Sequence, residues 1–194
     1  MPFAISLHPE RAIIALQGRD WSRELSAPES DSLDAAGEEF WNTRWQHLPP
    51  ICKYPGPVFE QHPVLRRFLA PVNGQDAIEI GCVPGNWLIY LHKEYGYRVS
   101  GIDYSEYLDY VRQNLAYNGV EPLEFIYADL FHYVPNRKYD LVFSSGFVEH
   151  FDDHELVVRK HSEVAKPGGL VIIMVPNLTH HYCPVNLQGA GCKV

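Results

Sequence analysis

Three acidic residues and a pair of glycines give this chain its first chemistry. Glu79 precedes the turn Gly81-Cys82-Val83-Pro84-Gly85, Asp103 sits in Gly101-Ile102-Asp103-Tyr104-Ser105, and Asp129 sits in Tyr127-Ala128-Asp129-Leu130-Phe131. Glycines at a tight turn let the backbone approach a ligand and take up dihedrals that a side chain forbids. A helix starting just behind such a turn offers free N–H groups and a partial positive charge. Glu79 argues against a phosphate as the guest, because a carboxylate beside Gly81 repels a pyrophosphate and accepts from an ammonium or a ribose hydroxyl. An acid about twenty residues past the glycine turn is placed to accept both hydroxyls of a ribose. Asp129, at the end of a further strand, is placed to accept from an exocyclic amine. Either aspartate alone reads as a helix cap or a loop residue. All three in register with the turn read as a site.

The elements that have to position them alternate from residue 76 onward. The pattern predicts strands at 77–80, 98–102, 124–127, 139–144 and 170–175, and helices at 86–95, 106–118 and 153–165. Ser105 is the expected cap of the second of these helices and Gly119 its stop. Pro167-Gly168-Gly169 stops the third. Such alternation predicts an α/β domain with a parallel sheet, right-handed crossovers and helices on both faces. Ligands in such sheets bind at the carboxyl ends of the strands, where each of these acids falls.

Upstream, residues 35–73 are read as a helical lid or extension. Phe40, Trp41, Trp45 and Leu48 recur at helical spacing, and Pro49, Pro50, Pro55 and Pro57 then force an extended connection. Residues 1–34 carry a weak apolar pattern (Ile5, Leu7, Ile13, Ile14, Leu16) and a polar run, and are read as a mobile leader. Residues 178–194 are read as an irregular tail.

The 194 residues suffice for one full core, and a net charge of −8 argues against a nucleic-acid or anionic-membrane surface. The longest apolar run, Leu170 to Val175, is strand-sized, so no transmembrane segment is expected. Cys52, Cys82, Cys183 and Cys192 show no Cys-x-x-Cys spacing. That pattern indicates neither a metal site nor a disulfide framework, and a cytoplasmic setting is expected.

Taken in order, Glu79-Ile-Gly81-Cys-Val-Pro-Gly85, Gly101-Ile-Asp103-Tyr-Ser, Ala128-Asp129-Leu, Tyr139-Asp-Leu-Val-Phe and Lys166-Pro-Gly-Gly169 resemble the class I S-adenosylmethionine-dependent methyltransferases over residues 74–177. The resemblance implies a Rossmann-like doubly wound sheet with five parallel strands in the order 3-2-1-4-5. It implies S-adenosylmethionine as cofactor, with Glu79, Gly81, Cys82 and Gly85 at the turn against its methionine portion. Asp103 would hold the ribose and Asp129 the adenine amine, with Tyr104 and Leu130 on the adenine faces and Ser145 at the end of the fourth strand. Gly146-Phe-Val-Glu149-His150-Phe151 looks like the loop of small-molecule and lipid-intermediate methyltransferases where cofactor and acceptor meet.

Two departures set expectations. Val83 stands where the family has its middle glycine, and a branched side chain there is expected to narrow the pocket. The family also adds a final helix and an antiparallel strand pair after strand five, for which the last residues lack the apolar pattern. Strand five is then expected to be a bare edge, which natural proteins avoid. That leaves a truncated chain, or an edge covered by a partner, by a second copy or by the N-terminal segment.

Methyl transfer to an oxygen or nitrogen also requires a proton to leave the acceptor, which a histidine near neutral pH can take. His150 and Glu149 are the candidate catalytic residues, and His180 and His181 read as exposed tail. The expected acceptor is a small or lipid-linked molecule. A catalytically inactive cofactor-binding protein acting through a partner is the alternative. A nicotinamide-dependent oxidoreductase is disfavoured, since Val83 and Asn86 occupy its second and third glycine positions.

Overall fold

The computed structural model describes residues 3–7, 11–17 and 37–176. A seven-stranded sheet organises them. In chain order its strands are β1 (Phe3–Leu7), β2 (Arg11–Gln17), β3 (Asp76–Ile80), β4 (Arg98–Asp103), β5 (Glu124–Tyr127), β6 (Tyr139–Ser145) and β7 (Ala165–Pro176). Across the sheet they run β1-β2-β7-β6-β3-β4-β5, and β5, β4, β3, β6 and β7 are mutually parallel. Counted among the parallel strands alone this is the expected order 3-2-1-4-5. The helices are α1 (Gly37–Trp45), α2 (His62–Leu65), α3 (Asn86–Tyr95), α4 (Leu108–Tyr117) and α5 (His154–Val164).

Strand alternation sorts the core into two layers. Ala77, Val99, Leu141, Phe143, Ile172 and Met174 face α3 and α4, where Leu88, Leu91, Val111 and Leu115 meet them. Ile78, Ile80, Ile102, Val142, Val171 and Ile173 face the other way, onto Val157 and Val164 of α5. Both faces are therefore covered, which is why these strands read as near-continuous apolar runs. Fully burying each such aliphatic side chain contributes roughly 1.5–3 kcal/mol.

Element boundaries moved where local chemistry overrode pattern. The helix expected from Glu106 begins at Leu108, because Ser105 Oγ accepts from Tyr107 N at 3.2 Å and makes a turn ahead of it. Asp153 does cap α5, its Oδ1 accepting from Leu156 N at 2.9 Å. Pro167-Gly168-Gly169 ends no helix directly. It lies inside β7, where the pairing with β6 slips. A Cβ on Gly169 would stand 2.9–3.2 Å from three carbonyl oxygens, so only glycine fits that bulge.

The leader reading of the N-terminus needs correction. Residues 3–7 and 11–17 are two antiparallel strands, and β2 pairs with β7 along its length, from Arg11 opposite Pro176 to Gln17 opposite Leu170. The strand-five edge is consequently not bare. The N-terminal segment covers it with the antiparallel pair whose C-terminal counterpart was expected to be missing. The rest of the leader and the expected tail, with His180 and His181, lie outside the described residues. Among the described residues no helix is long and apolar enough to cross a membrane.

Two predictions follow from this packing. Deleting residues 1–17 exposes the backbone of β7 and should lower Tm by about 5 °C or more and generate higher-order species. Calorimetry and light scattering report both. Separately, His161 of α5 is fully buried, and its burial pushes its pKa down to about 4. Its stabilising contribution is present above pH ~6.5 and is lost as pH falls from there through about 4, a loss of roughly 3 kcal/mol. Urea unfolding across that range should show the slope, and His161→Gln should flatten it.

Candidate active site

The site lies at the carboxyl end of β3, where the chain leaves on one side for β4 and on the other for β6. This reversal of strand order opens a crevice above the sheet. Parallel register aligns the strand ends, with Glu79 opposite Gly101 on one side and Phe143 on the other, and Asp103 opposite Tyr127.

Glu79 follows Ala77 onto the α3 side of the sheet and is 3% exposed. It takes a hydrogen bond from the Leu88 backbone, while its Oε2 is buried with no partner among the described residues. Burial, and after it the charge of Asp103, pushes the Glu79 carboxyl well above the usual range. Asp103 sits across the turn. Its Oδ2 accepts from Val83 N at 3.3 Å and its Oδ1 from Ser105 N at 2.8 Å. Burial also raises the Asp103 pKa, against the opposing pull of these backbone donors. Two carboxylates thus share a weakly solvated turn, and one of their oxygens lacks a donor. An arriving hydroxyl or ammonium would relieve that deficit.

The turn glycines have packing reasons as well as conformational ones. Gly81 and Gly85 have φ of 71° and 93°. A Cβ on Gly85 would lie 2.8 Å from Val111 and 3.0 Å from Leu115, so this glycine lets α4 close on α3. A Cβ on Gly81 would lie 2.7 Å from the ring of Phe147, which rests on the turn. Cys82 is buried, with its sulfur in the space that a Cβ on Gly101 would need and under the influence of both Asp103 and Glu79. Val83 is likewise buried in the α3–α4 core. The expected branched side chain beside the turn thus packs into the core.

The third acid stands apart from the other two. The Asp129 side chain is 45% exposed, and it accepts from Phe131 N at 3.0 Å and pairs with His132 Nδ1 at 2.7 Å. Leu130 is buried in the α5-side core. Tyr104 and Ser145 lie half-buried at the ends of β4 and β6.

Beyond β6, a single 3-10 turn, Val148–His150, carries the candidate catalytic pair. His150 Nε2 stands 3.9 Å from Glu149 Oε1. The imidazole is covered by Trp41 of α1, edge to face at 4.6 Å between ring centroids. Helix α1 also reaches the β4–α4 loop, where Asn42 Oδ1 accepts from Glu106 N at 3.4 Å. The aromatic helix therefore sits over two of the site loops, as a lid would. Spacing placed Trp41 on that helix but gave no sign of its contact with His150. Phe147 lay in the quoted loop, but nothing in the sequence assigned it a role of its own. Ser144 and His161 were missed too: His161 Nε2 lies 2.9 Å from Ser144 Oγ, and its ring packs against Phe147. Among the described residues no group of three or more His, Cys, Asp or Glu could hold a metal ion.

Comparison with known proteins agrees with this fold. Residues 78–173 match the model of the methyltransferase domain. The chain is 32% identical over 116 residues to trans-aconitate 2-methyltransferase from Azoarcus sp., an alignment covering 57% of this chain and 44% of that one. It is 29% identical over 103 residues to a probable (S)-tetrahydroprotoberberine N-methyltransferase of Papaver bracteatum, covering 52% and 29%. The fold is shared with a methyltransferase of Thiobacillus denitrificans crystallised with S-adenosylhomocysteine, with a TM-score of 0.55 at 21% identity over 71% of this chain and 54% of that one. The chain spans about half or less of the length of the curated relatives it matches.

The Glu79 environment yields a test that needs no ligand. A carboxyl whose pKa is raised on folding favours the folded state in acid and penalises it above the unfolded pKa. Glu79→Gln should therefore stabilise the ligand-free protein at neutral pH by roughly 1 kcal/mol or more. The advantage over wild type should shrink as pH approaches 4, read by urea unfolding.

Proposed function

We propose that this chain, whose residues 78–173 belong to the methyltransferase-domain family, binds S-adenosylmethionine at the β3 turn and directs its methyl group to an oxygen or nitrogen of a small or lipid-linked acceptor. One observation carries the reading: Glu79 and Asp103 are held together beside a glycine turn, with a buried Glu79 oxygen left without a donor. A cofactor with an ammonium at one end and a ribose diol beyond it suits that pair. Glu79 would receive the ammonium. Asp103, already oriented by backbone N–H groups, would accept from the diol. The half-exposed Asp129 would accept from the adenine amine at the rim.

S-adenosylmethionine, when bound, would supply an activated methyl carbon to the acceptor's lone pair, with the C–S electron pair going to sulfur. The protein's share is positioning, exclusion of water and removal of a proton. Phe147 and Trp41 would exclude water from above. His150, oriented by Trp41 and next to Glu149, would take the acceptor proton. The chain's relatives named as (S)-tetrahydroprotoberberine and (S)-coclaurine N-methyltransferases, trans-aconitate 2-methyltransferase and demethylmenaquinone methyltransferase support a small or lipid-like acceptor.

S-adenosylhomocysteine should raise Tm where NAD does not. Asp103→Ala should weaken S-adenosylhomocysteine binding at least about tenfold, the ~1.5–3 kcal/mol of hydrogen bonds to a charged group. Asp129→Ala, at a carboxylate already engaged by His132, should weaken it by less than about fivefold. Calorimetry that found Asp103→Ala unchanged, or a Tm response to NAD alone, would contradict the proposal.

A further inference from the structure

We infer that the acceptor is a cationic amine, received between Glu149 and the aromatic face of α1. The inference rests on the cofactor reading above and adds a substrate class to it. The loop Gly146–Phe151 is held from both sides. Phe147 lies on Gly81 of the glycine turn, and His150 lies under Trp41. Glu149 is therefore fixed next to the place where an acceptor must meet the donor.

Its carboxylate is incompletely satisfied there. Oε2 is buried without a hydrogen-bond partner among the described residues. The ion-pair neighbour seen for Glu149 is His150, whose Nε2 is 3.9 Å from Oε1 and so beyond hydrogen-bonding distance. An oxygen withdrawn from water without a donor is costly, and a donor that arrives with a ligand would meet the deficit. An ammonium brings N–H donors and positive charge together.

Two further features select the same charge. The indole of Trp41 packs against the same imidazole, which sets beside this loop an aromatic ring of the kind that attracts ammonium groups. The whole chain carries a net charge of −8, which draws cations toward it. In the reaction, one N–H proton of the bound ammonium passes to the Glu149–His150 pair, and the freed nitrogen lone pair becomes the nucleophile. The methylated amine leaves with its new C–N bond, and the proton returns to solvent.

The test uses the full chain loaded with S-adenosylhomocysteine and titrated calorimetrically with phenethylamine, 2-phenylethanol and phenylacetate. These probes share a ring and chain length and differ in charge at about pH 7.5. Phenethylamine should bind about tenfold or more tighter than 2-phenylethanol, and phenylacetate should bind weakest. Glu149→Gln should bring the amine to within about twofold of the alcohol while S-adenosylhomocysteine still binds. Trp41→Leu, which keeps an apolar surface, should cost the amine about threefold and leave the alcohol unchanged. An amine that binds no tighter than the alcohol, or does not bind, overturns the inference. So does a Glu149→Gln variant that keeps the tenfold gap; if that variant fails to load, an amine affinity untouched by Trp41→Leu has the same force. Normal loading without amine preference overturns this inference alone, whereas a chain that takes up no S-adenosylhomocysteine overturns the cofactor reading and this inference with it.

Discussion

Two carboxylates held close together with little solvent around them are the constraint on which the rest depends. Burial raises the pKa of both Glu79 and Asp103, and the charge of Asp103 raises that of Glu79 further. A fold tolerates such an arrangement only when rigid surroundings impose it. Here β3 and β4 are locked in parallel register between two apolar layers, so their last residues cannot move apart. The glycine turn then lets α3 and α4 close over the pair, with Gly85 leaving room for Val111 and Leu115. Backbone donors from Val83 and Ser105 meet part of the demand of Asp103. The rest stays open, and in the proposed reading a polyol and a cation would meet that residual demand.

Much of the fold was legible because strands buried on both faces announce themselves as short apolar runs between turn residues. The parallel strand order came from a resemblance, and the pairing agrees with it. Spacing also put Glu79 and Asp103 near the ends of their strands, where the structure has them and geometry leaves little freedom. Asp129 was less predictable. Its loop turns back so that the carboxylate meets His132 three residues on, a local pairing that the sequence permits without requiring it. Contacts between distant loops were invisible. Nothing in the sequence says that Phe147 will rest on Gly81 or that Trp41 will cover His150, because both contacts depend on tertiary closure.

The N-terminal strands make the same point from the other end. Their apolar residues were seen, yet a weak alternating pattern cannot reveal that its partner lies about 160 residues away. What decides the matter is the demand of β7 for an antiparallel neighbour. The chain meets that demand with β2, and the outer edge passes to β1, a strand of five residues. The sheet thereby gains the antiparallel pair that the parallel strands alone lack, and the site-bearing strands lie in its interior or on the opposite flank.

A crystal structure of the full chain with S-adenosylhomocysteine tests the central claim most directly. The account predicts both ribose hydroxyls within about 2.6–3.2 Å of the Asp103 carboxylate and the ligand's ammonium directed at Glu79. A ligand seated away from the β3 turn, or one that leaves the Glu79 oxygen still without a donor, would contradict it.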